Sequence, residues 1–365
     1  MQGSLFTKLA GRIAQLEGEV FPLHVGDSWL QPPQGAQMQD LASSDHPSLH
    51  RYARPQGNGA LLSALAEIHG VDRGRLLITT GATGALDAIA NTLLDPGDEV
   101  LIGAPYWPLI RGIVTASRGR AVEVDMMLHA RGEELGAALE SAVTPRTVAI
   151  YINSPHNPTG RVLTEEDLAA VVAVARRHDL WIWSDVVYEH HAYAREPVSV
   201  LSLAPERTFE VHSFSKAWAM AGNRCGFIIG PEDLEHSAIL RRTSTHTFYS
   251  APTASQFAAL SALRDGQSWL KASRDHYLAS GNAAADRLGV PRPEGGTFLF
   301  LDVADQLGPK GLEEFMHRCL DRNLVLAPGS SCGSAYGGYV RLCFTSAPPA
   351  AVARGVEVLA ELLGR

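Results

Sequence analysis

The stretch Val148-Ala149-Ile150-Tyr151-Ile152-Asn153-Ser154-Pro155-His156-Asn157-Pro158-Thr159-Gly160 carries two signals in succession. Its first half runs apolar without polar alternation, as a strand covered on both faces should. Its second half is dense in Pro, Asn and Gly and reads as a turn. A helical pattern follows over Glu165–His178, with Leu168, Val171, Val172 and Val174 as its apolar set, and then a second apolar run over Leu180–Ser184. Strand, loop, helix, strand is the repeat of a parallel sheet.

Working outward, similar runs occur at Leu76–Thr80, Glu99–Gly103, Ala121–Asp125, Phe209–Ser213 and Gly226–Gly230. Helical patterns lie between many of them. Thr83–Leu94 places Leu86, Ile89, Ala90 and Leu93 on one face and stops at Pro96-Gly97-Asp98. The expected fold class is α/β: a mostly parallel, doubly wound seven-stranded sheet flanked by helices, plus a smaller α+β domain. Past Ala251 the pattern changes to a long helical stretch over Ala251–Arg287, a run at Gly296–Asp302, a helix near Gly311–Arg322, a run at Gly338–Phe344 and a terminal helix. Near the other end, Leu5, Leu9, Ile13 and Leu16 recur at helical spacing. The expected division is a large domain at 35–250 and a small one built from both chain ends, 1–34 and 251–365.

Composition sets broad limits. The 365 residues are 45% hydrophobic and 19% charged, which excludes a disordered chain and permits a large core. A net charge of -8, from 31 basic and 39 acidic residues with no basic stripe, argues against a nucleic-acid partner. The four cysteines, Cys225, Cys319, Cys332 and Cys343, show no C-x-x-C spacing, so neither zinc nor a redox motif is expected. With no apolar stretch long enough for a span and few cysteines, the chain reads as cytoplasmic and without a membrane partner.

Open α/β sheets bind ligands beyond the carboxyl ends of their strands, and those ends hold the chemistry. The first runs into Thr80-Gly81-Ala82-Thr83-Gly84, where small residues leave backbone N–H groups free at a helix start, a setting for an anion or for an ordinary glycine turn. The second ends in Pro105-Tyr106-Trp107-Pro108, an aromatic rim able to stack on a planar ligand or simply to pack. The fourth holds Asn157 between two prolines, its amide fixed in direction, with His156 read as a loop residue. The fifth ends in Ser184-Asp185-Val186-Val187-Tyr188; an acid there is costly unless paired with a cation. The sixth gives Ser213-Phe214-Ser215-Lys216, then Gly222 and Arg224. A lysine at a strand exit is either a solvated surface charge or an amine whose pKa burial lowers.

Ser213-Phe214-Ser215-Lys216 with Gly222-Asn223-Arg224-Cys225-Gly226 resembles the S-F-S-K…G-x-R-x-G pattern of class I/II aminotransferases, the fold-type-I enzymes of pyridoxal 5′-phosphate (PLP). Asn157 in Asn-Pro-Thr-Gly, and Asp185 with Tyr188, stand in that family's order, and the similarity runs from Leu23-His24-Val25-Gly26 to Arg341. The resemblance implies a PLP-dependent aminotransferase that moves an amino group from an amino acid to a 2-keto acid in two half-reactions. Lys216 would form the internal aldimine and act as general base. Asp185 would pair with the pyridine nitrogen, Asn157 and Tyr188 with the ring's 3-oxygen, and Trp107 with the ring face. Ala82, Thr83, Ser213 and Arg224 would meet the phosphate. Gly26, Asn157 and Arg341 would bind substrate, Arg341 gripping the α-carboxylate through two parallel bonds. Tyr52 resembles the tyrosine that reaches the phosphate of a neighbouring subunit, which implies a homodimer.

The chain departs from the family pattern at Gly26-Asp27-Ser28-Trp29 in place of G-E-P, at Leu61-Leu62 in place of L-R, and at Cys332 in place of a phenylalanine. The first and third are expected near the substrate, as is Trp29; Arg241, Arg242 and His246 lie in a segment that approaches the pocket in this family. Two other readings compete. A C–S β-lyase, a cyclase or a decarboxylating enzyme would use the same Lys216, Asp185 and Arg341. A PLP-binding regulator would carry a DNA-binding head, for which a chain opening on the fold's own first helix is expected to leave no room.

Overall fold

The computed structural model describes residues 5–365. All seven expected strands form one sheet, in the spatial order Leu76–Thr79, Gly226–Ile229, Thr208–Ser213, Trp181–Asp185, Thr147–Asn153, Glu99–Ala104 and Arg120–Asp125. Gly226–Ile229 is antiparallel to both of its neighbours, and the remaining pairs are parallel. The apolar run that begins at Val148 lies in the strand Thr147–Asn153, whose residues 149–153 are buried, in the interior of the sheet next to its middle strand. One face packs Tyr151, Trp183, Phe209 and Val211 under the helix Gly81–Leu93. The other packs Ile150, Ile152 and Ile182 under the helix Glu165–Arg177.

That second helix begins where the sequence provides for it. Thr164 accepts from the Asp167 N–H at 3.1 Å, and Asp167 accepts in return from the Thr164 N–H at 3.0 Å, a reciprocal cap. Asp167 also takes Arg161 Nη2 at 2.7 Å in a buried ion pair. Arg161 in turn donates to the Ala130 carbonyl at 2.8 Å. These bonds pin the far end of the loop that carries Asn157.

The expected helix over Ala251–Arg287 is two helices, Thr253–Asp265 and Gln267–Leu288. Gly266 divides them because its backbone lies against Trp218: a Cβ there would fall 2.6 Å from that ring and 2.5 Å from the Ala262 carbonyl oxygen. Elsewhere the boundaries shift by a residue or two, as with the helix expected from Thr83, which starts at Gly81.

A second core gathers the chain ends. Leu9, Phe21 and Leu23 pack with Leu299, Leu301, Phe315, Val340, Leu342 and Leu359. Phe21–Pro22 pairs in parallel with Leu324–Val325, and Ala327–Pro328, Tyr339–Cys343 and Phe298–Asp302 form a three-stranded antiparallel sheet. The helix Thr253–Asp265 contributes Ala258, Ala259, Leu260 and Ala262 to a third core, with Leu76, Ile78 and Phe227 of the large sheet. Among the described residues, no helix is long and apolar enough to cross a membrane.

Candidate functional site

A cavity of about 250 Å³ opens at the carboxyl edge of the large sheet. Its wall includes Gly26, Ala82, Thr83, Trp107, Asn157, Asp185, Tyr188, Ser213, Lys216, Arg224 and Arg341, which are all the site residues expected from sequence except Tyr52. Adjacent strands bring their ends together side by side, and the chain ends supply Gly26 and Arg341 from the second core.

Asp185 forms the floor, 4% exposed. Burial pushes its carboxyl up to about 6, against the pull of a hydrogen bond from Tyr151. Tyr151 reaches across from the next strand, its hydroxyl donating to Asp185 Oδ2 at 2.8 Å. Asn153 ties the same two strand ends together: its Nδ2 donates to the Asp185 carbonyl and its Oδ1 accepts the Asn157 N–H, each at 2.7 Å. Asp185 enters no ion pair with a Lys, Arg or His among the described residues.

Lys216 extends from the short helix Phe214–Ala217, directly after the strand Thr208–Ser213, and its Nζ donates to the Gly26 carbonyl. Burial lowers its pKa, with Asp27 pulling the other way. Tyr188, 3% exposed, packs edge-on to Phe298 with ring centroids 5.8 Å apart. Burial holds its hydroxyl well above the ordinary tyrosine value.

At the opposite end of the cavity the helix Gly81–Leu93 presents its first turn. Its N-cap Thr80 makes no side-chain cap bond, so the leading N–H groups have no partner from that side chain. Gly81 (φ 79°) permits close approach, since a Cβ there would meet Arg224 Nη2 at 2.6 Å. Arg224 is itself left-handed (φ 54°) and donates to the Ala221 carbonyl at 2.8 Å and the Thr80 carbonyl at 3.2 Å, which holds its guanidinium beside this anion-ready turn. The Ser213 hydroxyl accepts the Ser215 N–H at 3.1 Å.

Arg341 donates through Nη1 to Asn157 Oδ1 at 2.8 Å and through Nη2 to the His24 carbonyl at 2.9 Å. Its guanidinium lies 4.3 Å from the centre of the Phe298 ring, and its buried Nε has no partner.

Tyr52 stands apart, 90% exposed, with its ring edge-on to Tyr249 at 5.4 Å. Arg241, Arg242 and His246 lie on the helix Leu234–Thr247, outside the cavity wall, and Arg241 donates to the Gly74 carbonyl. His156 is buried on Thr159 Oγ1 at 2.7 Å, and burial lowers its pKa to about 3. The Trp29 N–H donates to the Thr345 carbonyl at 2.9 Å.

Sequence reading missed Val25, Val187, Ser215, Ala221 and Phe298 on the wall, and Tyr151 and Asn153 beneath it. The apolar ones look like any core position. Tyr151 sits in mid-strand, and only the register that sets Tyr151 beside Trp183, two residues before Asp185, shows where its hydroxyl goes.

The description "Aminotransferase class I and II" belongs to a family model that matches residues 20–359. Among curated proteins, aspartate/prephenate aminotransferase of Thermus thermophilus is 31% identical over 329 residues, which are 86% of this chain and 84% of that protein. Arginine–pyruvate transaminase AruH of Pseudomonas aeruginosa is 34% identical over 356 residues, 91% of this chain and 86% of that one. Among solved structures, aspartate aminotransferase from Thermus thermophilus with maleate matches with a TM-score of 0.88 at 28% identity, covering 99% of this chain and 97% of the other.

Proposed function

As a chain that belongs to the class I and II aminotransferases, this protein is a PLP-dependent aminotransferase, and we propose that the cavity at the sheet edge is where it exchanges an amino group between an amino acid and a 2-keto acid, with Lys216 as its working amine. The observation that carries the reading is the convergence of Lys216, Asp185, Asn157, Tyr188, Arg224 and Arg341 on one cavity.

The residues fit the coenzyme. Asp185 is a buried acid without a cationic partner among the described residues, and a protonated pyridine nitrogen supplies that partner. The open helix start beside Arg224 suits a phosphate, and the hydroxyl and amide of Tyr188 and Asn157 suit a phenolic oxygen. When bound, PLP supplies an aldehyde that condenses with amines and a ring that withdraws electrons from the substrate Cα.

The protein's own part is binding and proton movement. Arg341, fixed by Asn157 and the His24 carbonyl, receives the substrate α-carboxylate. Trp107 covers one face of the site. Lys216 Nζ, its basicity lowered by burial, takes the proton from the substrate Cα and returns one later. Gly26 shapes the neck of the cavity, since a Cβ there would fall 2.6 Å from the Phe298 ring.

The same reading extends to the assembly. On this reading the exposed Tyr52 would reach the phosphate end of a second copy's cavity, so the protein would act as a homodimer, and the cytoplasm would be its compartment. The chain divides into a large unit at 35–250 and a small one at 1–34 with 251–365, supported by the separate core of the chain ends; residues 1–4 lie outside the described residues. The helix Thr253–Asp265, although it falls in the second range, packs with the large sheet.

The test is chemical. Borohydride added to the PLP-loaded protein should leave a reduced pyridoxyl group on the Lys216 peptide, read by mass spectrometry. An amino acid given alone should convert the coenzyme to a form absorbing at shorter wavelength that persists. Absence of the label at Lys216 overturns the reading; return of the original spectrum with release of product points to a lyase.

A further inference from the structure

Behind the cavity, on the sheet face opposite Asp185, His212 is 1% exposed and bonded at both ring nitrogens to carboxylates. Nδ1 meets Glu189 Oε1 at 2.8 Å and Nε2 meets Glu210 Oε1 at 3.2 Å. A carboxylate only accepts, so both nitrogens donate and the ring is an imidazolium. Phe227 stacks flat against it, centroids 4.3 Å apart and 4° from parallel, and His69 closes the edge at 4.8 Å. The packing fixes the ring, and Ser199 donates to Glu210 Oε2 at 2.5 Å to fix the far carboxylate.

What this cluster holds in place is functional. Glu189 directly follows Tyr188 and opens the short turn Glu189–His191, whose His191 N–H donates to the Tyr188 carbonyl at 2.8 Å. His212 directly precedes Ser213 on the strand that leads to Lys216. A bond between Glu189 and His212 therefore joins the segment bearing Tyr188 to the strand bearing the lysine. Backbone contact between them is otherwise limited at this point, the Val186 N–H donating to the Val211 carbonyl at 3.0 Å.

We propose that His212 is a positioning residue: its imidazolium clamps Glu189 to the strand Thr208–Ser213 and thereby sets the orientation of Tyr188 in the cavity. The proposal rests on the reading of Tyr188 as a partner of the coenzyme's ring oxygen. The charged and titratable groups that face His212 are Glu189 and His190 from the turn, Glu210 from its own strand and His69 from the helix Gly59–His69, while Asp185, on the other face of the sheet, feels its charge through the strands. Burial opposes the charge on His212, the two glutamates overcome it, and the result is a pKa raised to about 10. Glu189 is held down to about 2, its burial outweighed by His212. The clamp is thus closed through the neutral range.

The experiment titrates the visible absorbance of the PLP-loaded protein against pH in His212→Gln, Glu189→Gln and Glu210→Gln, with melting temperatures of the coenzyme-free forms. Tyr188 favours the form in which the ring oxygen carries negative charge, so loosening it should raise the midpoint by about one pH unit in the first two variants. Glu210→Gln leaves the Glu189 bond intact and should lower the melting temperature without moving the midpoint. Glu189→Gln preserves side-chain shape and serves where His212→Gln does not fold. Unmoved midpoints in both clamp variants, or an equal shift in Glu210→Gln, overturn the proposal and leave the cluster a source of stability alone. Borohydride labelling of Lys216 in every protein separates the two readings: its absence in the parent removes the site reading itself, whereas its presence with unmoved midpoints removes only the clamp.

Discussion

Tyr151 and Asp185 sit on neighbouring parallel strands and are joined by a single 2.8 Å bond from hydroxyl to carboxylate inside the core. The bond favours the ionised form of the acid, the form that on the proposed reading would pair with a protonated pyridine nitrogen. Tyr151→Phe removes that donor and leaves burial to act alone, so the Asp185 carboxyl moves further up. A hydrogen bond to a buried charge is worth about 1.5–3 kcal/mol, so PLP affinity should fall about 10- to 100-fold. Fluorescence titration of the coenzyme-free variant with PLP measures it; unchanged affinity would show that the bond is idle.

Arg341 offers a paired prediction. Arg341→Lys keeps the charge but loses the planar fork. It should lower kcat/KM about 10- to 100-fold for amino acid and keto acid alike, since both present the same carboxylate. Lys216 labelling by borohydride should persist. A loss confined to one of the two substrates would place the carboxylate elsewhere.

Asp185 also predicts a pH profile. In the coenzyme-free protein its carboxyl is raised from 3.8 to about 6. Between those values the folded state holds a proton that the unfolded chain has released, so stability falls as pH rises through this window and stays lower above it. Two pH units correspond to about 3 kcal/mol. Calorimetry of coenzyme-free Asp185→Asn should show this part of the curve flattened. Parallel curves for parent and variant would refute it.

His212 predicts the opposite end of the scale. Its folded pKa is raised from 6.5 to about 10 by Glu189 and Glu210. Its contribution is fully present below the unfolded value and is lost as pH rises through about 10. Melting temperature should therefore decline from neutral to alkaline pH more steeply in the parent than in His212→Gln. Equal slopes would mean the ring is neutral in the fold.

Tyr52 makes the dimer testable by mixing. A Lys216→Ala chain and a Tyr52→Ala chain each give a defective homodimer: the first lacks the amine, the second holds PLP weakly. Each mixed dimer contains one cavity with both residues. Random mixing should bring about a quarter of the cavities back to parental PLP affinity and turnover. Recovery that does not depend on mixing, or a monomer by light scattering, would refute it.

The sheet was legible because most of its strands, the edge strand Arg120–Asp125 apart, are buried on both faces, and an unbroken Val/Ile run of strand length between turn residues suits little besides a central strand. The cavity was legible because strand ends converge by topology, so an ordered set of polar residues at successive ends predicts a cluster in space. The residues that could not be read this way act across strands. Tyr151 and His212 sit inside strand patterns, where sequence assigns them to packing, and their roles depend on which strand lies alongside. Gly266 was hidden for a related reason: it follows an apolar helical pattern, and only the approach of Trp218 shows that no side chain fits there.

Phe21–Pro22 lies against Leu324–Val325, and the Leu23 carbonyl accepts the Cys343 N–H at 2.8 Å, so the segment leading to Gly26 is held by strands made long after it. During synthesis Gly26 emerges first and Lys216 follows, while the strands that fix the Gly26 segment are still to be made. A product that stops before the strand Tyr339–Cys343 would carry Lys216 without Arg341 and without the donor that the Leu23 carbonyl accepts from. On the proposed reading, turnover is therefore reserved for chains translated through the strand Tyr339–Cys343.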